Sequence, residues 1–374
     1  MKETNETTVE ESNEELSTLK ESLRQALDEG DIQRAEELKM EVVPLLESVK
    51  LYNDIGTIEN KKNYRQVAEI ECKESVYDIQ VLPDKRLLYA YGRGGLKIWG
   101  NNNQGIYQED ILLGHEAGVK HTCTISGEKI VSGDDRGMVI VWEKDKVSRE
   151  YYEVDRFSGP RKEINFIEPL HDEELLIGSF NGDTCVWGKD ESSGKYKEVQ
   201  KLDNTARFKQ AQLMSDDSIV TGNKKGDLTI WEKDKGTGQY VEKKTFKSSQ
   251  DRYLHTLHRL PDEMIVAAYS GEIVLWKKDK VSGEYKEESM FDMGGDIAYY
   301  ICMLPDKRLV TGGYHGIIKI WEKDENEKTY NLVEVVGDHG NKIAGMKLLP
   351  DGRIVTGGLD KKIKFWDGDK VKRS

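Results

Sequence analysis

RIVTGGLDKKIKFWD, residues 353–367, spells a β-hairpin: two runs of alternating or β-branched apolar residues, IVT and IKFW, flank a turn containing glycine and aspartate. Leu349-Pro350-Asp351-Gly352 ahead of it marks a second turn, since proline fixes one backbone angle and Asp-Gly favours a tight reversal. KIAGMKLL (342–349), before that turn, reads as another strand. The same pattern recurs along the chain. All seven tryptophans, Trp99, Trp142, Trp187, Trp231, Trp276, Trp321 and Trp366, stand in one series with spacings of 43, 45, 44, 45, 45 and 45 residues. Each closes an apolar run (LKIW, VIVW, TCVW, LTIW, IVLW, IKIW, IKFW), and a fourth strand then starts near a tyrosine, as in GEYKEESMF (283–291). Four strands in a repeat of this length make one blade of a β-propeller.

The units resemble the Trp-Asp (WD) repeat family, in which a Gly-His pair opens the repeat and Trp-Asp closes its third strand. Leu112-Leu113-Gly114-His115 and Trp366-Asp367 match that signature, whereas Trp142, Trp231 and Trp321 are followed by glutamate. Seven units in register, over about residues 62–374, imply a mainly β, seven-bladed propeller. The resemblance also implies a buried hydrogen-bonded relay of His, Ser/Thr, Asp and Trp in a blade. On this reading the last blade alone carries all four, at His339, Thr356, Asp360 and Trp366, with a structural rather than catalytic role.

Only DGDKVKRS follows Trp366, too short and charged to supply the last blade's fourth strand, and an open sheet edge is costly. The middle units mark that strand with Tyr107, Tyr151, Tyr196, Tyr240, Tyr285 and Tyr330, each 35 or 36 residues before the next tryptophan. Tyr64 lies 35 residues before Trp99, so NYRQVAEIE (63–71) is expected to be the outer strand of blade 7, closing the ring from the N-terminal side.

The preceding segment has another texture. Residues 1–8 read as a disordered tail and 9–56 as a helical hairpin segment, with Leu16, Leu19, Leu23 and Ala26 at helical spacing, Gly30-Asp31 as a stop and restart, and Pro44 as a kink. Residues 57–374 are assigned to the propeller. Short helices are marginal alone. Residues 9–52 are therefore expected to dock on the propeller, to pair with a second copy in a homo-oligomer, or to fold on a partner.

Charge and composition remove several function classes. Net charge is −13; residues 1–61 hold 16 acidic and 7 basic side chains, and the rest is nearly balanced. An overall acidic field argues against nucleic acid as the main ligand. No apolar run approaches the ~20 residues of a membrane helix, and the acidic start lacks a secretory leader, so a cytoplasmic protein without membrane partner is expected. Cys72, Cys123, Cys185 and Cys302 form no Cys-x-x-Cys pair and are expected to be free thiols. His255 and His258 are three apart on a strand and are expected to face different ways. Gly92-Arg93-Gly94-Gly95 sits between strands rather than opening a helix, so it is not read as a phosphate loop. The charged turns EKDKVSREY (143–151) and KKDKVSGEY (277–285) lack the carboxylate density of a calcium loop. No cofactor and no metal site are expected. The reading is a non-enzymatic scaffold for protein or peptide partners; its alternatives are a propeller enzyme of the hydrolase or lyase class and a helix-mediated assembly factor.

In the resembled family, peptides bind over the central channel, on the loops into the first strands and the turns between second and third strands. Carried onto this register, blades 5 and 6 contribute Tyr253, His255, Tyr269, Tyr299 and Tyr314, and blade 4 contributes Arg207, Lys209 and Lys224. Tyrosine brings large, stiff amphipathic surface and lysine or arginine binds anions, so the expected ligand is an acidic or phosphorylated peptide segment with an apolar anchor.

Overall fold

The computed structural model describes residues 64–368, apart from 93, 102–106, 161–162, 181–182, 203–207, 248–251, 261–262, 280–283, 325 and 328. The segments assigned above to 1–8 and 9–56 lie outside the described residues. Strand β1 (Arg65–Glu71) comes first, followed by blade 1: β2 (Val76–Val81), β3 (Leu87–Tyr91), β4 (Gly95–Asn101) and β5 (Tyr107–Leu113). Blade 2 is β6 (Val119–Ile125), β7 (Lys129–Asp134), β8 (Met138–Lys144) and β9 (Tyr151–Ser158); blade 3 is β10 (Ile164–Pro169), β11 (Leu175–Ser179), β12 (Thr184–Lys189) and β13 (Tyr196–Lys201). Blade 4 comprises β14 (Phe208–Leu213), β15 (Ile219–Asn223), β16 (Leu228–Lys233) and β17 (Tyr240–Phe246); blade 5 comprises β18 (Leu254–Arg259), β19 (Ile265–Tyr269), β20 (Glu272–Lys278) and β21 (Tyr285–Asp292). Blade 6 holds β22 (Ala298–Met303), β23 (Leu309–Gly313), β24 (Ile317–Asp324) and β25 (Thr329–Asp338); β26 (Ile343–Leu348), β27 (Ile354–Gly358) and β28 (Lys362–Asp367) belong to blade 7.

Each blade is an antiparallel four-stranded meander, and the last is completed by β1 in the order β1-β28-β27-β26. Gln66 pairs with Trp366, Ala68 with Phe365 and Ile70 with Ile363, and Lys362 donates to Glu69 at 2.5 Å. The N-terminal strand thus satisfies the backbone edge that β28 would otherwise expose.

The core lies between blades. Each tryptophan pairs with the first apolar residue of the second strand of its own blade, as Trp366 does with Ile354. Against three of them packs an aromatic from the fourth strand of the preceding blade: Phe157 lies 4.6 Å from Trp187, Phe246 6.0 Å from Trp276 and Phe291 4.9 Å from Trp321, centroid to centroid. One apolar cluster therefore spans two blades, as Phe291 of blade 5 and Trp321 of blade 6 share theirs.

The tyrosine marker also has a physical role. Lys144, Lys189, Lys233 and Lys278, each two residues after a tryptophan, lie 5.8, 5.9, 5.5 and 5.8 Å from the ring centres of Tyr151, Tyr196, Tyr240 and Tyr285. Three of them reach a carboxylate of the preceding blade: Lys144 to Asp84 at 2.6 Å, Lys233 to Glu174 at 2.9 Å and Lys278 to Asp216 at 2.5 Å. The residue three after a tryptophan, Asp145, Asp190, Asp234 or Asp324, accepts backbone N–H bonds from its own hairpin turn. Those carboxylates are thereby committed to the turn, which accounts for the charged sequences there.

Candidate functional site

The relay attributed to blade 7 is present. His339 meets Asp360 through Nδ1 at 2.9 Å and Thr356 through Nε2 at 2.6 Å, and the Trp366 indole donates to Thr356 Oγ1 at 2.8 Å. Indole N–H to hydroxyl, hydroxyl to Nε2, and Nδ1–H to carboxylate is the tautomer that satisfies every member. Burial holds His339 below its ordinary pKa, against the opposing pull of Asp360.

Blade 7 is not alone, however, and that expectation is corrected. In blade 2, His115 bonds Asp134 at 2.9 Å and Ser132 at 2.8 Å, and Trp142 donates to Ser132 at 2.9 Å. His115 and Ser132 keep the spacing of His339 and Thr356, but the carboxylate comes from two residues after the hydroxyl rather than four. Asp134, at the end of β7, reaches His115 as Asp360 reaches His339 from the turn. A search for aspartate at one fixed position passes over it. Blades 4 and 6 keep only the indole-to-threonine bond, Trp231 to Thr221 and Trp321 to Thr311. In blade 3 the equivalent position is Ile177, and the Trp187 N–H finds no hydrogen-bond partner among the described residues.

The channel face is built by a repeated irregularity. In all seven first strands the pairing with the second strand skips one residue after the first pair, a bulge that frees the skipped side chain from the ladder. The skipped residues are Tyr77, Lys120, Asn165, Lys209, His255, Tyr299 and Ala344. The first strands neighbour one another around the ring, β2 against β6 and β26, β14 against β10 and β18. Side chains of adjacent blades accordingly meet at this rim: Asn165 donates to the Lys209 carbonyl at 2.6 Å, and Lys120 Nζ lies 3.4 Å from the Tyr77 ring centre.

Four of the five aromatic positions expected in blades 5 and 6 come together. Tyr253 and His255 are 4.9 Å apart by centroid, His255 and Tyr299 5.4 Å, and Tyr299 and Tyr314 6.5 Å. The run continues to His315, 5.3 Å from Tyr314. Tyr253 is 40% exposed and Tyr314 52%, while His255 and Tyr299 are half-buried. His255 also meets Ser270 Oγ at 3.0 Å.

Tyr269 does not belong with them. It is 2% exposed, its hydroxyl donates to the Gly226 carbonyl at 3.2 Å, and its ring sits in the core between blades 4 and 5. The cause is register. Ile265 pairs with Trp276 across a turn one residue shorter than in the other blades, so Tyr269 pairs with Leu254 at the end of the strand. Ser270 occupies the place that Phe180, Lys224 and Tyr314 hold elsewhere, and counting back from the tryptophan slips by one.

Of the basic residues, Arg207 lies outside the described residues. Lys209 and Lys224 converge on Phe180 of blade 3, with Nζ 5.9 and 4.0 Å from its ring centre. Phe180, 42% exposed, occupies a position on this face that the register marks, as do Tyr77, Lys120 and Lys342, but all four lie outside the expected binding set. Lys342 Nζ lies 4.0 Å over Tyr299. Every one of them stands at a rim position of the repeat, so register was the available signal; which rims approach one another is a property of the closed ring. Burial, with Lys224 and Lys342, lowers the pKa of Lys209 although Glu163 opposes it, and burial with Lys120 lowers that of Lys342. Burial, with Lys209 and Lys342, takes His255 down to about 4. His258, three residues on, is bonded through Nε2 to Thr256 at 3.0 Å and does not share a partner with His255.

Among the described residues no three His, Cys, Asp or Glu side chains cluster as metal ligands, and no helix is long and apolar enough to cross a membrane. No disulfide joins the four cysteines; Cys123 and Cys185 are buried and Cys72 and Cys302 half-buried.

Residues 330–367 match the family model "WD domain, G-beta repeat". Among solved structures, the chain is similar to the WD40 β-propeller domain of Doa1, with TM-score 0.66 and 16% identity over 83% of this chain and 99% of that one. It is also similar to a chain in the crystal structure of a mitotic checkpoint complex, with TM-score 0.66 and 15% identity over 83% and 93% of the two chains. Comparison with curated proteins finds no significant match. Seven four-stranded blades ordered by one tryptophan series make the chain a seven-bladed β-propeller, and its last blade matches a WD repeat.

Proposed function

We propose that the protein is a non-enzymatic interaction platform that binds an acidic or phosphorylated peptide segment on its channel-mouth face, over blades 4 to 6. WD40 propellers are generally protein-interaction scaffolds, and one structural neighbour comes from a multiprotein checkpoint assembly. The observation that carries the reading is the aromatic run Tyr253–His255–Tyr299–Tyr314, flanked by Lys209, Lys224 and Lys342. None of these three ammonium groups has a carboxylate within ion-pair distance among the described residues, on a protein of net charge −13. Exposed rings supply apolar anchorage with little side-chain entropy to lose, and the lysines attract an anionic ligand that the rest of the surface repels.

An array of acidic and phosphoserine peptides, probed with the intact protein, tests the reading. Peptides that bind are then titrated calorimetrically against the intact chain, residues 57–374 and a Tyr253→Ala/Tyr299→Ala/Tyr314→Ala variant. The expected result is binding to the first two proteins and loss of about 2 kcal/mol, roughly thirtyfold in affinity, for each ring that acts as an anchor. Lys209→Glu and Lys224→Glu are expected mainly to slow association. Full binding by the triple-alanine variant with loss in residues 57–374 would move the site to the N-terminal segment and end the channel-mouth reading.

A further inference from the structure

Several lysines elsewhere on this propeller are tied down by acids. Lys129 and Lys189 share Glu173, Lys197 meets Asp190, Lys244 meets Glu284 and Lys319 meets Asp296. Lys120, Lys209 and Lys342 differ. They project at the same rim from blades 2, 4 and 7, each is half-buried, and none is within ion-pair distance of a carboxylate among the described residues. Lys120 and Lys342 rest on the faces of Tyr77 and Tyr299, at 3.4 and 4.0 Å, and Lys209 is steadied by Asn165 Oδ1 at 3.4 Å. A ring face partly compensates an ammonium ion, worth about 0.5–2 kcal/mol, but leaves its full charge unneutralised.

These three charges also sense one another. Lys342 feels Lys120, and Lys209 feels Lys342. His121, half-buried beside Lys120 in β6, is taken down to about 3 by desolvation together with Lys209, Lys120 and Lys342. Glu163 opposes them at Lys209. Like charges held together in a partly desolvated mouth are destabilising unless an anion completes them.

We propose that the channel mouth between Lys120, Lys209 and Lys342 binds a compact phosphate anion carrying two or more negative charges, as a free small molecule. The blades that supply the lysines, 2, 4 and 7, are spread around the ring rather than gathered along one side. A compact polyanion on the channel axis can meet all three at once, whereas an extended peptide lying over blades 4 to 6 passes Lys209 but not Lys120. The site therefore centres elsewhere than the peptide reading, although Lys209, Lys342 and Tyr299 border both.

Inorganic pyrophosphate is the probe, titrated calorimetrically into the intact protein at low and at physiological salt, with chloride and acetate at matched ionic strength as controls. The expected result is saturable binding at one site, weakened at least tenfold by Lys120→Met and by Lys342→Met and kept by Lys120→Arg and Lys342→Arg. Lys197→Met, at a distant paired lysine, should leave it unchanged, and matching thermal melts would show that the variants fold. Absence of saturable binding, or binding indifferent to Lys120 and Lys342, overturns the proposal. So does a phosphoserine peptide that binds through Lys120 and Lys342 where pyrophosphate does not, since the phosphate would then arrive on a chain. Pyrophosphate binding without any peptide binding to the tyrosine run would leave this site standing and remove the peptide reading; the reverse result would do the opposite.

Discussion

Thr356 shows how much can hang on one hydroxyl. Its oxygen receives the Trp366 indole N–H and faces His339 Nε2, so replacing it by the near-isosteric valine leaves two buried polar groups unmatched. Orphaned buried groups cost about 1–3 kcal/mol each, so Thr356→Val is expected to destabilise by about 2 kcal/mol or more, read from urea melts. Ser132→Ala should cost a comparable amount through His115 and Trp142. A neutral result at Ser132 would show that the blade 2 relay does not act as a unit. Glu168 makes a different test. Burial pushes its carboxyl up to about 7, against the Leu213 N–H bond and the fields of Lys347 and Arg259. A raised folded-state pKa favours folding while the group is protonated, and that contribution is lost as pH rises from about 4.5 through 7. Glu168→Gln keeps an acceptor for Leu213 and removes the titration. The variant should melt with wild type near pH 4 and gain on it by pH 8, by on the order of 1 kcal/mol, about 2–4 °C in a chain of this size. A difference independent of pH would assign the effect to packing instead.

At the scale of elements, the recurring unit is more than a tryptophan. The lysine two residues on reaches back to the preceding blade and covers the tyrosine, and the following aspartate closes the hairpin, so blade-to-blade adhesion and turn formation are encoded in one short motif. Blade 7 lacks a following tyrosine of its own and borrows Tyr64, whose hydroxyl donates to the Gly352 carbonyl at 3.3 Å while Arg308 of blade 6 lies 5.9 Å from its ring centre. Removing β1 would strip Ala68 and Ile70 from Phe365 and Ile363, and would expose the whole edge of β28. Deletion of residues 1–56 is therefore expected to leave a cooperative thermal transition, and deletion of 1–71 to abolish it. Indistinguishable melts would mean that β1 adds nothing to closure. Gly316 illustrates the turns: at φ +85° with an added Cβ only 2.4 Å from the Asn341 carbonyl, it tolerates no side chain without backbone movement.

For the whole molecule, ring closure turns a one-dimensional repeat into a surface. Residues some 45 positions apart in sequence become neighbours across a rim, as Asn165 and Lys209 do, and the last blade returns to the first, where Ser75 donates to the Leu359 carbonyl at 3.1 Å. Positive charge gathers at the mouth while the molecule as a whole is acidic. Ligand binding there should accordingly weaken as salt rises, because the attraction acts over a distance comparable to the screening length of about 8 Å at physiological ionic strength. Affinity that did not fall between 50 and 300 mM salt would speak against a charge-driven site.

The sequence by itself determined the blade count, the strand order within each blade, the closing strand and one complete relay. These are consequences of local alternation, turn chemistry and a fixed repeat, which need no knowledge of what lies across the ring. Tertiary structure decided what repetition leaves open. A turn shortened by one residue sent Tyr269 into the core and put Ser270 at the rim, because side-chain direction in a strand flips with each step of register. A carboxylate reaching His115 from a neighbouring position completed a second relay that positional matching excludes. Lys342 met Tyr299, and Lys209 met Phe180, only because closing seven twisted sheets into a ring brings the rims of different blades together in space, a relation that no spacing along the chain contains.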